Sequence, residues 1–203
     1  MGVMCSWIAV QSGSKADILA ALNLSETGEE VLPGEERTLL SCCAFPGDWL
    51  VVFSEDFDWA TSEQTAELSR FGLALGCQYE DEVEMTSAIW AMRDGAELWR
   101  VFHDNTQSTY RLDVTGDPPA ALAAIRDRYV REQDTAGGED AGVDYIGEIA
   151  QDLSKALCGF RMYKGDDVFN ELRPPGMASS VSVARAAQAP RRPGLLARLF
   201  GRR

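Results

Sequence analysis

The stretch Ser87-Ala-Ile-Trp-Ala-Met-Arg-Asp-Gly-Ala-Glu-Leu-Trp-Arg-Val-Phe-His-Asp104, followed by Ser108-Thr-Tyr-Arg-Leu-Asp-Val114, decides the fold class. Asp94-Gly95 between two apolar runs is a two-residue hairpin signal, because both central positions of a type I′ turn need a positive φ. Placing Arg93 opposite Ala96 sets Trp90 across from Trp99 and Ala88 across from Val101. With a turn over Asp104 to Gln107, Val101 faces Tyr110 and Trp99 faces Leu112. Both registers then put Trp90, Trp99, Val101, Tyr110, Leu112 and Val114 on one buried face. Ile89, Leu98, Arg100, Phe102, Arg111 and Asp113 fall on the other, with Arg100 directly opposite Arg111.

Upstream, Cys5 to Val10 reads as a strand, and Ser14 caps a helix carrying Ile18, Leu19 and Leu22 on one side. Glu26 to Arg37 is polar, contains Gly28, Pro33 and Gly34, and reads as a loop. Thr38 to Phe45 and Trp49 to Ser54 form a hairpin across Pro46-Gly47-Asp48. Thr61 and Gln64 match a capping box for a helix running to Gly72, and Leu73 to Tyr79 is the next strand. The expected class is α+β: an antiparallel sheet with a ferredoxin-like βαββαβ start, extended by a three-stranded meander, with amphipathic helices packed on it.

Downstream, Asp117-Pro118-Pro119 opens a helix with Leu122, Ile125 and Tyr129 on one stripe. Val143, Ile146, Ala150, Leu153 and Leu157 recur at helical spacing before Gly159. The expected division is an acidic α+β domain over 1–172, a Pro/Ala/Ser-rich linker over 173–193 and a basic amphipathic tail over 194–203. In that tail Leu195, Leu196, Leu199 and Phe200 cluster on one side of a short helix, with Arg198, Arg202 and Arg203 around the rest.

The net charge of −13 over 203 residues is unevenly distributed. Six arginines and no acid lie in 180–203, so removing them leaves −19 on residues 1–179. Such a body repels phosphate backbones, which argues against direct nucleic-acid binding by it, and attracts cationic surfaces. The chain has no apolar run near the roughly 20 residues of a membrane span, and its five cysteines lack a Cys-x-x-Cys pair. A reducing, cytoplasmic setting is expected, with no metal and no cofactor.

Labelled catalytic motifs such as a P-loop, G-x-S-x-G or H-E-x-x-H are absent. His103 is the sole histidine, and the acids cluster at Glu55, Asp56 and Asp58 and at Glu80, Asp81, Glu82 and Glu84. No catalytic residue is assigned. The expected function is a non-enzymatic binding protein whose acidic domain masks a cationic protein partner, in an inhibitor or immunity-type role. Ile89, Leu98, Arg100, Phe102 and Arg111 are the expected partner-binding face. Two other classes stand beside it: a hydrolase or transferase using carboxylates or His103, and a peripheral adaptor binding an anionic membrane surface through the tail.

Overall fold

The computed structural model describes residues 2–33, 39–81, 85–162 and 167–177. Strands β1 (Met4–Gln11), β2 (Ser25–Val31), β3 (Leu40–Phe45), β4 (Trp49–Ser54), β5 (Ala74–Glu80), β6 (Thr86–Arg93), β7 (Ala96–Asp104), β8 (Leu112–Gly116) and β9 (Phe169–Arg173) form one sheet. Its order is β2-β9-β3-β4-β1-β5-β6-β7-β8, with every pairing antiparallel. Helices α1 (Lys15–Ala21) and α2 (Ser62–Leu68) cover one face; α3 (Ala121–Ala136) and α4 (Ile149–Cys158) cover the other. The class is therefore α+β, in three layers.

Covering both faces dictates the character of the central strands, because a strand with helices above and below must be apolar at every position. In β1, Cys5, Trp7 and Ala9 point toward α4, while Ile8 and Val10 point toward α1. In β4 all six residues are buried. Trp7 anchors an aromatic cluster, with the Phe160 ring 5.2 Å away edge-on and Phe169 5.4 Å beyond it. Its indole N–H donates to Ser154 Oγ at 3.0 Å, so the polar edge of this buried ring is satisfied.

The Asp94-Gly95 turn forms as expected, with φ of 52° and 81°, and Arg93 faces Ala96. The register then slips by one: Met92 faces Glu97 but Ala91 faces Trp99, leaving Leu98 as a bulge. Trp90 consequently faces Arg100, not Trp99, and the two tryptophans are buried on opposite faces. The bulge resolves a conflict in the simple register, which would have crowded both indoles onto the α2 side and aimed Arg100 into the α3/α4 core. Gly116 holds it, since with φ of 72° any Cβ there would lie 2.1 Å from Leu98 O.

The β7–β8 pairing is also displaced, by four residues. Val101 faces Val114, Arg100 faces Thr115, and residues 105–111 form a longer loop than expected. The expected Arg100–Arg111 apposition does not occur. Val114 is exposed at the edge strand, while Tyr110 and Leu112 are half-buried and pack against the α3/α4-side core.

Two further expectations change. Within the stretch expected to be a loop, Ser25–Val31 is strand β2, an edge strand with a bulge at Gly28 that pairs with β9 from the far end of the chain. Its exposed face is polar, so the sequence Ser-Glu-Thr-Gly-Glu-Glu-Val carries no apolar alternation. Val143 lies in a turn ahead of α4 and is 55% exposed; the helical stripe starts at Ile146 in a short 3-10 turn. At α2, Thr61 Oγ1 accepts from Gln64 N–H at 3.1 Å, and Gln64 Oε1 is a buried atom with no partner.

Gly76 on β5 lies under the Trp90 ring, and a Cβ there would come within 2.3 Å of two of its carbons. Gly76→Ala is expected to cost about 1–3 kcal/mol by overpacking, whereas Gly142→Ala, with nothing within 4 Å, should stay within about 0.5 kcal/mol. Chemical denaturation of both variants checks this.

Candidate functional site

His103 ends β7 on the α3/α4 side and is only 1% exposed. Its Nδ1 lies 2.7 Å from the Arg111 carbonyl, so Nδ1 donates there, and its Nε2 lies 2.8 Å from Asp144 Oδ2. A carbonyl and a carboxylate are both acceptors, so one proton is held between Nε2 and Asp144. The couple ties β7, the 105–111 loop and the α3–α4 connection together, and both ring nitrogens are occupied. The imidazole has no free nitrogen to offer a substrate.

The same connection is fastened at two more points. Gln133 Nε2 donates to Gly138 O and Val143 O, and its Oε1 accepts from Tyr145 N. Below them, Arg161 ion-pairs with Glu148 and Asp152, while Tyr79 donates to Glu148 Oε1 at 2.7 Å and Tyr129 to Asp152 Oδ2 at 2.9 Å. Burial, reinforced by Glu148, pushes the Tyr79 phenol far above its ordinary range and keeps it a donor. Burial likewise raises Tyr129, against the opposing Arg161 and Arg128 charges. These acids alternate with cations and phenols and are consumed in holding α4 to β5 and α3.

Sequence reasoning missed this network. The available signal was Glu148 and Asp152 at i, i+4 on the side of α4 that meets the sheet, where unpaired carboxylates are not tolerated.

Of the expected partner-binding residues, Ile89 is fully buried in the main core against α3 and α4, because the bulge leaves it facing Val101. The structure does gather Arg100 and Phe102 with Asp113 and Thr115, their cross-strand neighbours, beside the edge. Leu98 is exposed in the bulge, and Arg111 lies in the loop that enters β8. Both arginines are engaged locally. Arg100 pairs with Glu97 at 2.6 Å, donates to Ser62 Oγ at 2.8 Å and stacks over Trp90, its Cζ 4.8 Å from the ring centroid. Arg111 pairs with Asp113 at 2.7 Å. This strip is charge-compensated.

The acidic groups are arranged differently. Strand ends bring Glu55, Asp56 and Asp58 from the β4–α2 loop to the same end of the sheet as Glu80 and Asp81 after β5. Asp104 joins them, because Glu80 faces Thr86 and Thr86 faces Asp104. Cys5 records the field: burial raises its thiol pKa most, and Asp81 and Glu55 raise it further. Met4 and Leu39 reach this end as exposed apolar side chains, 42% and 59% accessible. Glu82, Glu84, Leu195, Leu196, Arg198, Leu199, Phe200, Arg202 and Arg203 lie outside the described residues. Among the described residues no group of three His, Cys, Asp or Glu side chains could hold a metal ion.

An open cleft of about 460 Å³ lies along α3, lined by Arg128, Arg131, Glu132, Thr135, Ala136 and Tyr145. Arg128 is already bound to Asp152 and Glu132, so the cleft presents little net charge. All five cysteines are free thiols. Burial pushes Cys42 up to about 12 and raises Cys77 and Cys158.

Removing His103 leaves the sequestered Asp144 carboxyl without its hydrogen-bond partner, so His103→Ala is expected to destabilise the fold by about 1–3 kcal/mol. Asp144→Asn should be non-additive with it in a double-mutant denaturation cycle. With a thiol reagent at mildly alkaline pH, Cys43, the half-exposed one, should react first. The other four should be labelled only on unfolding, as a raised pKa suppresses thiolate and burial blocks access.

No family model matches this chain, and neither the curated proteins nor the solved structures contain a significant match.

Proposed function

We propose that the protein is a non-enzymatic binding protein whose acidic body receives a cationic protein partner, in an inhibitor-like or immunity-like role. The observation that carries this reading is the disposition of charge. Lys15, Arg70, Arg100, Arg111, Arg126, Arg128, Arg161 and Arg173 all pair with acids of the same body. The acid excess is left on the surface and gathers where β1 begins and β4 and β5 end. A rim in which acids predominate attracts an oppositely charged protein over a Debye length and orients it before contact. Met4 and Leu39 supply apolar area within that rim, which charge alone lacks.

The engagement of His103 in two internal hydrogen bonds supports a binding role over histidine catalysis. Free thiols in all five cysteines support a reducing, cytoplasmic setting. No helix among the described residues is long and apolar enough to cross a membrane. We also read the run β3-β4-β1-β5, with α1 and α2 on one face, as a ferredoxin-like unit, widened by β2 and β9 on one side and by the β6–β8 meander on the other. That supports the architecture and leaves the role to the surface.

Affinity capture with the whole chain, at about 0.1 M and about 1 M salt, tests the reading, since the Debye length falls from about 10 Å to about 3 Å between them. A basic protein retained at low salt and lost at high salt is expected. Asp58→Lys combined with Glu80→Lys should slow its association on the order of tenfold, with folding unchanged. Salt-insensitive capture, or capture of acidic proteins only, would overturn the assignment.

A further inference from the structure

We infer that the basic C-terminal segment of this chain, residues 195–203, docks on the acidic end of its own sheet and competes there with the cationic partner. The inference rests on the reading of that end as the partner surface, and deepens it by naming an internal occupant.

The path of the chain brings the two together. Strand β9 leaves the sheet beside β3, with Ser41 facing Glu171, while Glu55 N donates to Leu39 O across the β3–β4 end. After Arg173 a turn closes with Met177 N donating to Pro174 O at 3.1 Å. The last strand of the described chain therefore ends at the same end of the sheet as Met4, Glu55, Glu80 and Asp81. From β9 to β5 is four strand spacings, roughly 19 Å. The 17 residues between Met177 and Leu195 span up to about 56 Å when extended. The segment reaches every acid of the rim from its own attachment point.

The chemistry of the two surfaces is complementary. The segment holds Arg198, Arg202 and Arg203 around Leu195, Leu196, Leu199 and Phe200, with no acid among them. The rim offers carboxylates around the exposed Met4 and Leu39. Nine residues are below the length at which a helix is stable alone in water, so such a segment gains stability only against a surface that takes both its charge and its apolar side. Tethering gives the segment an effective concentration in the millimolar range, enough to make a weak contact populated.

Hydrogen exchange on the full chain provides the test. Three full-length proteins are compared: the natural sequence, Arg198→Glu/Arg202→Glu/Arg203→Glu, and Leu199→Ser/Phe200→Ser. Peptides covering 54–59 and 78–81 should exchange on the order of tenfold more slowly in the natural sequence than in either variant. High salt should remove the difference, and tenfold dilution of the protein should leave it unchanged. Equal exchange in all three proteins would overturn the inference, and protection that fades on dilution would assign the contact to a second copy instead.

A ten-residue arginine peptide, titrated into the natural sequence and the triple-Glu variant, separates this inference from the proposed function. Tighter binding to the variant supports both. Rim protection without peptide binding to either protein keeps the internal contact and removes the partner reading. Equal binding to both, without rim protection, does the reverse.

Discussion

Burial of the central strands on both faces is the constraint on which the remaining structure depends. Trp7 and Ile8 are adjacent in β1, point in opposite directions and are both fully buried, so helices must cover both sides of the sheet at that point. A strand so enclosed cannot sit at an edge, where one row of backbone groups would need solvent. β4 and β5 flank it, and they too are buried almost throughout. Polar strands with one exposed side, β2 and β8, are left to the two edges. The strand order follows from how much apolar surface each strand can hide.

The bulge at Leu98 is the second decision, and it controls which chemistry faces outward. By shifting one residue it sends Trp99 into the α3/α4 core and lays Arg100 over Trp90 on the other side. The loop between α3 and α4 is then fixed by polar bonds: His103 to Asp144, Gln133 to the Tyr145 amide, and Tyr79 and Arg161 to Glu148. Such bonds lie in low dielectric and are costly to leave half made, so these residues are committed to structure. His103, the sole histidine, is therefore occupied internally. Among the acids at the strand ends, Asp56, Asp58 and Asp81 are exposed to solvent.

Local signals were legible where the responsible interaction is local. Asp94-Gly95 announces its turn because two consecutive positive φ angles need those residues, and Thr61 caps α2 through an amide three residues on. Runs such as Trp-Leu-Val-Val-Phe at 49–53 announce buried strands by composition alone. β2 gave no such signal, because Ser25 to Val31 is stabilised by pairing with β9, nearly 150 residues away. The register of β6 on β7 was misread for a related reason. A bulge is selected by the packing of two tryptophans and an arginine against helices distant in sequence, and period-two alternation cannot reveal it.

For the candidate site, the uneven charge, the grouping of acids near 55–58 and 80–81 and the basic composition of 195–203 were determined by the amino-acid order alone. That Asp104 joins those acids, that Met4 and Leu39 lie among them, and that the chain leaves the sheet at the same end were decided by strand pairing. So was the burial of Ile89 and the capture of His103 by Asp144, 41 residues on. Charge and local backbone preference are properties of residues and their near neighbours, so a linear sequence carries them. Which charges become neighbours, and which side chains are sealed from water, depends on contacts between distant segments that exist only once the sheet is assembled.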